Sequence, residues 1–227
     1  MKLESYSQTL DTEGKMTTDT KIYNFSIYFD FRWPFVYNVA VWLTQVRKNL
    51  DGDINIDWKP FSLAQANNPD DFKFWEHPDV LAGKDNTLLA HQAGLAIKRQ
   101  GPDTFEKFLI ILLKKRHEER LDLTDYSVIE SAAIESSADM EQFKNDLSDV
   151  NLLKEIGENH TYASEELGAF GVPTFHFESG QSTFLKMFVP PENESASMFT
   201  SLMEVMGTFN YVGEIKRPQP PWPLGVA

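Results

Sequence analysis

The sequence contains no cysteine in its 227 residues. That single absence removes disulfides, thiolate metal sites and every cysteine nucleophile at once. It fits a reducing compartment, and a cytoplasmic protein is expected. Long apolar runs are also missing. No segment approaches the roughly 18–20 consecutive apolar residues that span a bilayer, so no membrane partner is expected. The stretch from Met1 to Lys21 is polar, lacks the apolar centre of a signal peptide and reads as a loose tail. Basic charge is scarce: 21 Lys and Arg stand against 34 Asp and Glu, for a net charge of −13. The longest basic cluster is Lys114-Lys115-Arg116, so nucleic-acid binding is disfavoured. The histidines at 77, 91, 117, 160 and 176 show no metal-ligand spacing, and no metal is expected. A glycine-rich phosphate loop and a nucleophile elbow are absent as well.

What is present is a core-forming chain, with 41% hydrophobic residues, 17 Phe and five Trp. Phe25, Ile27, Phe29 and Phe31 alternate with more polar neighbours, predicting a strand over 23–31. Pro34 then opens a helix carrying Val36, Val39, Ala40, Leu43 and Val46 at helical spacing. After the turn at Asp51-Gly52-Asp53, Ile54, Ile56 and Trp58 alternate as a second strand, stopped by Pro60. This is a βαβ unit with a parallel pair. Helical pattern fills the middle: 88–99, then a helix capped by Asp103 with Glu106 completing a capping box, then one from Thr124 or Asp125. Further helices are expected over 139–147 and 151–167. Strand character returns at 172–177 and 183–189, and Pro190-Pro191 opens a last helix with Met198, Phe199, Leu202, Met203 and Met206. The order βαβ, helical block, ββα predicts an α/β thioredoxin-like fold with a large all-helical insertion. The expected boundaries are 22–62 and 150–213 for the thioredoxin-like part and 63–149 for the insertion, flanked by the tail at 1–21 and a proline-rich tail at 214–227.

The run Phe29-Asp30-Phe31-Arg32-Trp33-Pro34-Phe35-Val36-Tyr37 resembles the active-site strand and helix start of the DsbA-like family. That family includes cytoplasmic DsbA-type oxidoreductases, 2-hydroxychromene-2-carboxylate isomerases and kappa-class glutathione transferases. Trp58 to Leu63 is similar to its second strand and following loop, Asn86 to His91 to its asparagine–threonine…alanine–histidine helix, and Arg120 to Asp125 to a later loop. Ala169 to Phe175 resembles its glycine–valine–proline–threonine–phenylalanine signature, which implies a cis peptide before Pro173. In the oxidoreductases two cysteines bracket the helix start; here Trp33 and Val36 stand in their places, while Pro34 and Tyr37 are retained.

Dithiol exchange needs a thiolate at a helix N-terminus and a resolving thiol three residues on, so this chain is not expected to run it. The resemblance implies a second route, in which a serine at the first cysteine position activates the thiol of glutathione. Trp33 has one N–H donor and cannot copy that hydroxyl, which leaves Tyr37 or Arg32 to approach a bound thiol. A ligand groove can outlive the chemistry, with Arg32, Trp33, Phe35, Tyr37, His91, Val172 and Pro173 as its candidate residues. The backbone of Val172 would pair with an extended ligand, and the helix start would attract a carboxylate. The plainer alternatives are that Trp33 and Phe35 plug an abandoned site, Tyr37 packs in the core and His91 is a hydrogen-bonded structural histidine. Asp30 reads as a buried acid near the site or a solvated strand-end residue, and with no cysteine to serve the second is expected. The function expected first is non-redox binding of a small thiol, an aromatic molecule or a peptide. Glutathione-dependent isomerase or transferase activity and a non-catalytic homodimeric scaffold are the alternatives.

Overall fold

The computed structural model describes residues 21–68 and 71–217 in full, together with the backbone of a short antiparallel pair, β1 (Thr9–Leu10) and β2 (Met16–Thr17). Most of the expected N-terminal tail, and the proline-rich end beyond Arg217, lie outside the described residues.

The βαβ unit is built from β3 (Ile22–Phe29), α1 (Pro34–Asn49) and β4 (Asp53–Pro60), and β3 and β4 pair in parallel. Phe25, Ile27 and Phe29 are buried on the face that the alternation implies; Tyr28 on the other face is buried too, and Phe31 lies past the strand end. Helix α1 buries Val36, Val39, Ala40, Leu43 and Val46 on one stripe. Each of the Val and Leu side chains contributes about 1.5–3 kcal/mol on leaving water. The chain returns through β5 (Thr174–Phe177) and β6 (Ser182–Phe184), both antiparallel to their neighbours, giving a sheet ordered β4-β3-β5-β6. A final helix, here α9 (Glu192–Thr208), packs on α1. There Trp42 donates its indole N–H to Ser195 O at 3.2 Å.

Between β4 and β5 lie two short helices, α2 (Leu63–Ala66) and α3 (Pro78–Leu81), with a 3₁₀ turn at Phe74–Glu76 between them. They are followed by α4 (Leu89–Lys98), α5 (Pro102–His117), α6 (Tyr126–Glu135), α7 (Met140–Leu147) and α8 (Asn151–Thr161). The last runs on into a π-helical turn, Tyr162–Glu166. This is the thioredoxin-like fold with a helical insertion.

Three local expectations need correction. Helix α5 starts at Pro102, with Gly101 at φ 106° before it, so Asp103 is inside the first turn and no capping box forms. Glu106 instead pairs with Arg47 at 2.5 Å. The strand expected over 183–189 ends at Phe184, and the chain beyond it follows α1, where Asn38 Nδ2 donates to Met187 O at 2.9 Å. Asp30 is not solvated: it is 3% exposed.

Candidate functional site

The chain leaves β3 in a tight turn, with Trp33 N–H donating to Asp30 O at 3.2 Å, and enters α1 at Pro34. Proline suits this position because its missing N–H would have no partner in a first turn. Trp33 is the N-cap residue, gives no side-chain cap, and no acid occupies the first turn. A 16-residue helix therefore starts with no acid within its own first turn.

Beneath this turn sits Asp30. Its Oδ1 accepts the Arg32 N–H at 2.9 Å and its Oδ2 accepts the Leu63 N–H at 2.8 Å. His91 Nε2 lies 3.6 Å from Oδ2, and the imidazole packs against the Phe29 and Phe31 rings, 5.9 Å from each. Burial works against the Asp30 carboxylate, but the adjacent His91 and the two N–H donors outweigh it and hold the carboxyl below its usual range. His91 is 4% exposed, and neither ring nitrogen has a hydrogen-bond partner among the described residues.

The other candidates divide between those already engaged and those facing a shared wall. Arg32 donates to Thr87 O at 2.9 Å. Tyr37 is buried, donates to Glu118 Oε1 at 2.6 Å and stacks on His117. Burial and that carboxylate push the phenol well above its ordinary value. His117 Nε2 contacts Phe31 O at 2.9 Å, tying α5 to the same turn. Val36 is fully buried. Trp33 and Phe35 are half-buried and touch one another at 5.9 Å between ring centroids. Phe35 also meets Phe188 edge-on at 5.8 Å, and Lys186 Nζ stands 4.4 Å over its ring. The Trp33 Nε1–H is buried with no acceptor among the described residues.

The Val172–Pro173 peptide is cis. Tyr28 pairs with Thr174, so the antiparallel register brings Pro173 and Val172 to the end of β3 from which the Asp30–Trp33 turn leads. Pro173 O accepts from Leu185 N at 3.0 Å, whereas the Val172 backbone has no partner among the described residues. Val172 is 1% exposed, so an extended ligand would first have to displace what lies over it. Lys186 and Phe188 were not among the residues expected at the site. They fall in the stretch 183–189, which the sequence reads as a strand rather than a wall. Two surface depressions lie elsewhere, one on the open half of the sheet around Ser26, Asp57 and His176, the other beside α8. Among the described residues, no group of three or more His, Asp or Glu could hold a metal ion. No helix there is long and apolar enough to cross a membrane.

Comparison with known proteins agrees with this fold. No curated protein sequence matches the chain significantly. Among solved structures, the cytosolic disulfide reductase DsbM from Pseudomonas aeruginosa aligns with a TM-score of 0.56 at 13% identity, over 80% of this chain and 98% of that one. It has also been solved with GSH. A 2-hydroxychromene-2-carboxylate isomerase aligns at 0.55 and 16% identity, over 84% and 98%. The DsbA of P. aeruginosa aligns at 0.53 and 15% identity, over 83% and 85%. The family model of the DSBA-like thioredoxin domain matches residues 25–194. With most of β3, and all of α1, the helical insertion and the cis-proline strand inside that span, the chain belongs to the DsbA-like thioredoxin-domain family.

Proposed function

We propose that this chain is a ligand-binding member of the family that does not run dithiol–disulfide exchange, holding a small aromatic or thiol-bearing molecule at the former catalytic helix start. The Trp33 indole carries the reading. A buried N–H without an acceptor costs about 1–3 kcal/mol, which an acceptor on a bound molecule relieves. That N–H sits at a helix N-terminus with no acid in its first turn, and its ring packs on Phe35, which in turn meets Phe188 and the Lys186 ammonium. An aromatic ring edged with a carboxylate or thiolate suits these neighbours in shape and charge.

Turnover with glutathione has less support. The isomerase and the GSH-bearing DsbM share the fold, but the two donors that could serve a thiol here, Tyr37 and Arg32, are spent on Glu118 and Thr87. The expected setting is cytoplasmic, in keeping with a cysteine-free chain and with the cytosolic DsbM.

The test is a calorimetric titration with glutathione and with benzoate on the wild type, Trp33→Ala and Trp33→Phe. Saturable binding that weakens in both variants is expected, since Phe keeps a ring but has no N–H. No binding by either compound, with the variants altering only melting temperature, would overturn the reading in favour of the dimeric scaffold. Reduction of insulin disulfides by the purified chain would overturn its non-redox part.

A further inference from the structure

Helix α8 turns Leu152, Leu153, Ile156 and His160 inward and leaves Gly157 facing Trp75. A Cβ at 157 would lie 2.7 Å from the Trp75 indole, so glycine is what lets that ring approach the helix. Gln65 fixes the 3₁₀ turn that carries Trp75: its Oε1 accepts Phe74 N–H at 3.0 Å and its Nε2 donates to Phe72 O. His160 closes on the same indole at 5.4 Å. Trp75 is therefore a positioned wall.

Past Thr161 the helix widens into the π-helical turn, closed by Leu167 N–H on Tyr162 O at 3.2 Å. Such single wide turns recur at functional sites. This one sets Tyr162, Glu165 and Glu166 along the rim of a groove that runs back to Trp75 and Leu153. Its volume is about 650 Å³, within the range of small-molecule sites. Leu81, Val150 and Tyr162, also on its lining, are 53%, 69% and 47% exposed, so they present apolar surface to an occupant rather than to the core.

The charges on this lining are lopsided. Lys73 pairs with Glu76 at 4.0 Å and Lys154 with Glu158 at 3.4 Å. Glu165 and Glu166 have no cation within ion-pair distance among the described residues. Two carboxylates thus stand uncompensated at the Tyr162 end of an aromatic and aliphatic groove. We propose that this groove, separate from the Trp33 site, binds an organic cation with an aromatic body, its ring beside Trp75 and its ammonium toward Glu165 and Glu166. Aromatic faces and carboxylates attract a cation through different terms, the ring quadrupole and simple charge, and this groove offers both.

The probe is tryptamine, titrated into the full chain and followed by amide chemical shifts. 3-Indolepropionate, with the same indole and the opposite charge, is the control. Saturable shifts at Gly157, Tyr162 and Glu165 are expected for tryptamine. In the Glu165→Gln/Glu166→Gln double variant the affinity is expected to fall about tenfold, with an unchanged melting temperature, because both carboxylates are exposed. Equal binding of 3-indolepropionate, shifts confined to the Trp33 turn, or no saturation would each overturn the proposal.

Discussion

At the scale of single residues, the buried polar side chains around the Asp30 turn tie stability to pH in acid. His160 lies against Phe61 at 4.4 Å and Trp75 at 5.4 Å, and its burial lowers the imidazole from 6.5 to about 4. The unfolded chain takes up that proton below 6.5, while the folded chain does so only near 4. Stability is thus fully present above 6.5 and declines as the pH falls toward 4. His117 is lowered by burial too and adds to the decline. Asp30 acts in a lower window. Its folded value is depressed below 3.8, so its contribution is present above that pH and lost as the pH falls through the folded value. Urea midpoints between about pH 7 and pH 4.5 should therefore fall in the wild type and fall less steeply in His160→Phe. Parallel slopes would show that His160 does not carry this effect.

At the scale of elements, local capping rules hold where nothing distant competes. Asp139 caps α7 through Oδ1, which accepts from Glu141 N–H at 2.9 Å and Gln142 N–H at 3.0 Å. Gln100 binds the Asp139 backbone on both sides, at 2.8 and 3.0 Å. Asp139→Ala should lower stability by about 1 kcal/mol in a denaturant titration, with the fold kept. An unchanged midpoint would mean that the Gln100 bonds alone hold the turn. The similar-looking Asp103 and Glu106 pattern failed as a cap because Pro102 had already begun the helix and Arg47, from α1, claimed Glu106. Likewise β6 stops early because Phe188 finds its partner in Phe35 rather than in a neighbouring strand. Periodicity shows which residues alternate, and tertiary contacts decide which of them remain strand.

For the whole molecule, the fold was readable because its markers are local and ordered: the Pro34 helix start, the Pro60 strand end, the Val172-Pro173 turn. The site was less readable. Asp30 is buried only because Leu63 and His91 arrive from other elements, and no pattern near residue 30 announces them. The cysteine-free composition makes a global prediction. The melting temperature should be the same with and without dithiothreitol, and a difference would mean the reductant binds the chain rather than reduces it. The sheet order also bears on self-association. β4 lies at an edge, where an unpaired strand can recruit another chain. Here the Ile54 carbonyl is taken by Arg47 at 2.7 Å and the Trp58 carbonyl by Lys98 at 2.8 Å, while Asp53 and Asp57 stand exposed along the strand. The opposite edge, β6, is three residues long. Side-chain caps on one border and a three-residue strand on the other thus disfavour addition of a fifth strand from a second copy.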